Sequence, residues 1–159
     1  MKRQAVILTL CTLFCWSCQN ETEQITSLKG TKWKLEGIVD AETNELRELE
    51  PKGCIIPNKL YSLPFEFKDF PCYSIFFMED NTFVTYTSVN EFIGFYGVNK
   101  ETQKFIIHIM GGTKVGELIE DGNLYISALK DMHQSFSLKE NELRVYYNDN
   151  KNYLLFNII

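Results

Sequence analysis

Few side chains in this sequence are of the kinds that make or break covalent bonds, so their spacing can be weighed case by case. The histidines are His108 and His133, and the cysteines stand at positions 11, 15, 18, 54 and 72. A metal centre needs three or four ligands held close together. Beyond Cys18 there is no C-x-x-C and no H-x-x-x-H, and both histidines are far along the chain from Cys54 and Cys72, so neither a metal nor another cofactor is expected. Nucleophilic hydrolysis needs a Ser or Cys beside an activating base, yet there is no G-x-S-x-G elbow and no Ser, His and Asp in a spacing that suggests a triad. His108 sits between Ile107 and Ile109, where alternation turns it to the face opposite its neighbours, toward solvent or a satisfied partner. Residues 111–116 (GGTKVG) have the ingredients of a phosphate loop, but a Walker motif ends in Gly-Lys-Ser/Thr and this order is reversed; a strand-to-helix turn is expected instead. The acid pairs Glu79-Asp80 and Glu120-Asp121 fall at a turn and a helix start, where solvent and the helix dipole favour carboxylates. With no nucleophile, dyad or metal site in evidence, the chain is expected not to be an enzyme.

Cys18 differs from the rest because its surroundings give it a use. Lys2 and Arg3 make a positive start, residues 5–16 (AVILTLCTLFCW) are uncharged and apolar, and small Ser17 directly precedes the cysteine. The apolar run is too short to span a bilayer as a helix. This order resembles the lipobox of bacterial lipoproteins, with Trp16 where that family prefers a small residue and Cys15 where it expects an aliphatic one. The resemblance implies that residues 1–17 are a signal peptide and that Cys18 is acylated on sulfur, with palmitate-type chains. The plain alternative is a secretory leader with incidental cysteines. Two or more acyl chains anchor stably, because each buried methylene contributes about 0.8 kcal/mol. The polar residues 19–24 (QNETEQ) suit a flexible spacer, so residues 18–27 read as lipidated cysteine plus linker. Gln19 is not the Asp that retains many lipoproteins in the inner membrane, so the resemblance implies the outer membrane, at its periplasmic or surface face. Gln followed by acids is similar to some surface-export signals and equally to an ordinary solvated linker.

Beyond residue 17 the chain keeps all 21 acids but 14 of the 16 bases, a formal charge of 14 minus 21, or −7. That charge speaks against nucleic acid as a partner. It leaves the acyl chains as the hold on a membrane, with an envelope protein as the other partner to consider. Cys54 and Cys72 are a candidate disulfide, which would contribute about 3 kcal/mol in the chain-entropy model. Two buried thiols are the alternative, since the sequence does not fix their distance. Residues 28–159 suffice for one domain with a sizeable core.

The elements that would position these residues are mostly strands. Residues 31–39 (TKWKLEGIV) alternate with Trp33, Leu35 and Val39 on one face and Gly37 as a bulge. An irregular, proline-bearing stretch over 40–71 reads as a long loop with a short strand near 46–49. Strands follow at 72–78, 82–89, 94–98 and 104–110, then at 135–139, 142–147 and 152–158, separated by turns such as NDNK. Only residues 121–132 (DGNLYISALKDM) change period, predicting one helix capped by Asp121. About eight short antiparallel strands and one short helix predict a mainly β (α+β) domain, curled into a small barrel or half-barrel. Trp33, Phe76, Tyr96, Leu129 and Phe156 are expected to meet in its core.

The order LKGTKWKLEGI, DNTFVTYTSVNEFIGFYGV, GGTKVGE, LYISAL, NELRVYY and NYLLF resembles the META domain of small bacterial envelope proteins, over most of residues 28–156. Trp33, Asn90, Gly94, Tyr96, Thr113 and Lys114 match its motif positions, whereas Val89 replaces a family cysteine. The resemblance implies a fold and a compartment and no catalytic site. The functional expectation is a membrane-anchored envelope module, structural or for interaction. The alternatives are a lipocalin-like carrier of a small apolar ligand, since Tyr, Phe and Trp make up 14% of the chain, and an inhibitor of secreted hydrolases presenting residues 61–70 (YSLPFEFKDF).

Overall fold

The alternation in TKWKLEGIV produces a strand, β1 (Lys32–Asp40), with Trp33 and Leu35 buried on one face and Lys32 and Lys34 exposed on the other. Its register against the last strand shifts between Leu35 and Gly37, the bulge expected at that glycine. The shift reverses the alternation. Ile38, and not Val39, therefore joins Trp33 and Leu35 in the core cluster, while Val39 is buried outside it. No side chain fits at position 37, where a Cβ would lie 2.5 Å from the carbonyl oxygen of Arg47. The computed structural model describes residues 27–50, 71–99, 101–102, 104–117, 119–130 and 135–159. The leader, most of the spacer and the loop residues 51–70 lie outside these.

The other strands are β2 (Leu46–Arg47), β3 (Ser74–Phe77), β4 (Thr82–Tyr86), β5 (Glu91–Asn99), β6 (Lys104–Gly112), β7 (Phe136–Lys139), β8 (Glu142–Tyr147) and β9 (Asn152–Ile158), with a helix, α1 (Glu120–Leu129), after β6. They form one antiparallel sheet in the order β6-β5-β4-β3-β1-β9-β8-β7, and β2 pairs with β1 beside that path. Twist brings the two ends of this order together at one point. Lys104 bridges to Ser135, just before β7, and the rings of Phe105 and Phe136 lie 5.9 Å apart. The result is the curled half-barrel with a single short helix that the sequence predicts, the two-residue β2 being the short strand expected near 46–49.

Two expectations fail locally. Phe76 is not in the core: it pairs with Lys32, whose ammonium lies 5.4 Å from its ring, while Ile75 and Phe77 turn inward. The run SIFF is apolar at every position after the serine, so its inward face has to be dictated by the neighbouring strands. Asp121 does not cap the helix either. Ile119 occupies the N-cap position without a side-chain hydrogen bond. Asp121 instead takes Arg47 at 2.9 Å on one carboxylate oxygen and the backbone N–H of Glu50 at 2.9 Å on the other.

The strand directions define two rims. Residues 28–31, the 79–81 turn and the 140–141 turn share one, where Gly30 N donates to Phe77 O at 2.8 Å. The 87–90 turn, the 113–117 segment and the 148–151 turn share the other, together with α1. Between the rims the interior is filled by side chains, with Trp33, Phe77, Phe83, Tyr125, Leu129 and Phe156 wholly buried. Trp33 satisfies its indole N–H on Thr31 Oγ1 at 2.7 Å.

Candidate functional site

The densest polar cluster among the described residues lies at the helix rim, where β4 turns into β5 and β6 runs on toward α1. Thr87, Ser88 and Asn90 are buried although all three are polar. Burial without partners would be costly, so the turn is built around hydrogen bonds. Asn90 N donates to Thr87 Oγ1 at 3.0 Å, closing the turn. The Asn90 side chain then ties it to the 113–117 segment. Its Nδ2 donates to Val115 O and to Glu117 Oε1, both at 2.7 Å, and its Oδ1 accepts Thr113 Oγ1 at 2.8 Å and Val115 N at 2.9 Å. That is the full complement of an amide side chain. Glu117 is equally engaged, since Thr87 Oγ1 reaches Oε1 at 2.5 Å and Ser88 Oγ reaches Oε2 at 3.0 Å. The same carboxylate lies against Gly122, where a Cβ would fall within 2.1 Å of Oε2. The cluster therefore fastens the β4–β5 turn to the connection into α1. Its polar groups are spent on one another.

A second group adjoins it. Tyr73 takes a φ of 54°, unusual for a bulky residue, and is held there by its hydroxyl donating to Glu50 O at 2.6 Å and by its ring meeting Tyr125 edge-on at 5.5 Å. Burial pushes its hydroxyl up to about 12, helped by Asp121, Glu117 and Glu50 and opposed by a hydrogen bond with Ser88. Tyr125 shares a hydrogen bond of 2.7 Å with Thr85 Oγ1, which itself donates to Ser74 O at 2.8 Å. These tyrosines stay neutral at physiological pH and act as packing with a polar tip. An open groove of about 460 Å³ runs between α1 and the end of β8, lined by Leu124, Ser127, Ala128, Lys130, Tyr147 and Asn148.

Of the residues singled out by sequence, Asn90 and Thr113 are brought into direct contact, and Lys114 is exposed in the same segment. Gly94 serves close approach, because a Cβ there would lie 2.2 Å from His108 O and 2.7 Å from the Phe83 ring. Tyr96 stacks edge-on against Phe77 at 4.7 Å and donates to Met78 O at 3.3 Å. Trp33 belongs to the core, away from the corner. Cys72 is buried and disulfide-bonded; its expected partner, Cys54, lies outside the described residues, as do Cys18 and His133. His108 is exposed on β6, as alternation predicts. No group of three His, Cys, Asp or Glu that could hold a metal occurs among the described residues. Sequence reasoning missed Thr87, Ser88 and Glu117. Glu117 closes the GGTKVGE stretch, in a segment without periodicity and far from Asn90 along the chain, so its role as the partner of Asn90 has no local signal.

No family model matches this chain, and the META resemblance has none behind it. The chain is 29% identical over 133 residues to a Tannerella forsythia protein described as "Putative lipoprotein", covering 82% of this chain and 75% of that one. A crystal structure of a DUF4847 family protein from Bacteroides vulgatus superposes with a TM-score of 0.57 at 14% identity, over 82% of this chain and 93% of that one. At that identity the likeness shows the fold alone.

Proposed function

We propose that the chain is a lipid-anchored lipoprotein of the cell envelope, at the outer membrane, whose META-like β domain is a structural or interaction module without catalysis. The observation that carries the second half is the state of the corner: Asn90 makes four hydrogen bonds within the domain and Glu117 accepts three, so these two side chains hold the fold and are not presented to a substrate. The matched positions Trp33, Asn90, Gly94, Tyr96 and Thr113 likewise do structural work. The filled interior argues against a lipocalin-like carrier, whose ligand would have to displace Phe77, Tyr125 or Phe156. The anchor is supported by the lipobox-like run ending at Cys18 and by the lipoprotein description of the Tannerella forsythia relative. No helix among the described residues is long and apolar enough to cross a membrane.

The test is metabolic labelling with a fatty-acid analogue, followed by separation of inner and outer membranes. Wild type is expected to take the label and fractionate with the outer membrane, and Cys18→Ser to lose both. Label retained by Cys18→Ser, or absent from wild type, would sink the reading.

A further inference from the structure

The outer face of β5 and β6 carries apolar side chains in the open. Phe95 is 47% exposed, Ile106 59% and Met110 51%. In register Phe95 stands opposite His108 and Gly97 opposite Ile106, so Phe95 and Ile106 are diagonal neighbours on one face. Gly97 leaves the space between them open, since a Cβ there would meet nothing within 4 Å. Single exposed apolar residues are ordinary, but Phe95, Ile106 and Met110 on two adjacent strands make a patch, arranged around the exposed His108 that lies between Ile106 and Met110. The two strands also keep acids out of the patch, the nearby Asp80, which accepts from Thr82 opposite Phe95, standing at its edge in the 79–81 turn. β6 (KFIIHIMGG) has no carboxylate and β5 (EFIGFYGVN) has one, Glu91, at its far end, in a chain of net charge −5. An acidic chain that keeps its carboxylates off an apolar face presents that face to an apolar partner, not a basic one.

The point where the chain enters the domain indicates which apolar partner. Gly30 N donates to Phe77 O at 2.8 Å and Tyr96 N to Asn81 O at 2.9 Å, while Phe95 lies opposite Thr82, so the first described residues enter on the rim beside this patch. Residues 19–27 connect that rim to Cys18. Such a length reaches at most about 30 Å when fully extended. The radius of gyration of a domain this size is about 14 Å. The tether therefore holds the domain within about its own dimensions of the bilayer.

Resting on the lipid-anchored reading, we propose that the face formed by Phe95, Ile106 and Met110 is a membrane-docking surface, laid on the boundary between lipid headgroups and acyl chains once Cys18 is anchored. Phe95 and Ile106 enter that boundary as aromatic and aliphatic side chains do on interfacial proteins. The contact fixes the orientation of the domain and covers β6, which pairs with β5 on one side and, among the described residues, meets the other end of the sheet at the Lys104–Ser135 bridge.

Tryptophan reporters in the full lipidated chain test this in vesicles of phosphatidylethanolamine and phosphatidylglycerol with brominated acyl chains. Phe95→Trp and, separately, Ile106→Trp report on the patch, and Glu42→Trp reports on the exposed turn at the opposite rim. Trp33 is buried and supplies a constant background. The expected result is at least twofold stronger quenching of the patch reporters than of Glu42→Trp, falling to the Glu42→Trp level when Met110→Ser is combined with Ile106→Ser in the Phe95→Trp chain. Equal quenching of all reporters in vesicle-bound protein overturns the docking surface and leaves the anchor standing. Concentration-dependent shielding of Phe95→Trp without lipid quenching assigns the face to a second copy and also overturns it. Protein that fails to float with the vesicles overturns the anchored reading itself.

Discussion

The Asn90–Glu117 corner, at the start of strand β5, and the Phe95–Ile106 face, on β5 and β6, break the ordinary in–out rule in opposite directions. At the corner, Thr87, Ser88 and Asn90 are polar and buried; a few residues on, Phe95 is apolar and half exposed. The first departure is resolved inside the chain, by hydrogen bonds that leave Asn90 with no unused donor or acceptor. The second has no such resolution within the described residues. Buried polar groups answered from within read as architecture, whereas exposed apolar groups read as a surface that is completed by something else.

Both regions depend on one filled interior, so the largest effect should come from emptying it. Trp33→Ala or Phe156→Ala should each destabilise the domain by about 3 to 5 kcal/mol, because the core closes only partly around the cavity. Urea unfolding of the full chain measures this, and an unchanged midpoint would detach that residue from the core. The next effect separates the regions. Asn90→Ala removes four hydrogen bonds, two of them to the Val115 backbone, and leaves Glu117 with two donors in place of three, a loss of about 4 kcal/mol at roughly 1 kcal/mol per bond. Ser88→Ala removes one donor from Glu117, so about 1 kcal/mol is expected. If Asn90→Ala were no worse than Ser88→Ala in the same unfolding series, the corner would be incidental.

How much of this contrast the sequence discloses depends on whether the information is local. The strands β8 and β9 match their expected bounds, because KEN and NDNK punctuate them and Asn148, Asp149 and Asn150 accept the left-handed backbone the turn requires. Gly37 was legible as a bulge; the resulting exchange of Val39 for Ile38 was not, since either β-branched residue suits a strand. Phe76 reads as inward because SIFF is apolar at every position after the serine, which leaves its phase weakly fixed. FIGFYGV and KFIIHIM have the same ambiguity, so the exposure of Phe95 and Ile106 could not be read from them. Asn90 and Thr113 were singled out through a resemblance, but their task was hidden, because the residue that explains it, Glu117, is a neighbour only in three dimensions.

A smaller effect should appear where β5 leaves the corner. Glu91 places Oε1 in a buried position with no hydrogen-bond partner among the described residues, and burial raises its pKa from the ordinary 4.5. The folded state then holds a proton that the unfolded chain has already released, so stability falls as pH rises from about 4.5 through the folded value and stays lower above it. Glu91→Gln removes that dependence. Unfolding midpoints should show Glu91→Gln more stable than wild type at pH 7, with the advantage gone at pH 3. An advantage equal at both pH values would assign the effect to packing instead of charge.

The smallest effect on stability is the most telling for the exposed face. Phe95→Ser and Ile106→Ser delete apolar side chains that are already about half in water, so little burial is lost, and surface changes of this kind usually fall within about 0.5 kcal/mol of neutral. Phe77, on the opposite side of the same sheet, is wholly buried, and Phe77→Ser should be severely destabilising, since it combines a cavity with an unsatisfied hydroxyl. The pair makes a control on one chemistry, Phe to Ser, inside and outside. Near-neutral unfolding of Phe95→Ser together with weaker lipid quenching of an Ile106→Trp reporter in the same vesicles would separate the role of this face from the fold. A loss of several kcal/mol on Phe95→Ser would instead show that the face is packed within the domain, and the contrast with the Asn90–Glu117 corner would collapse.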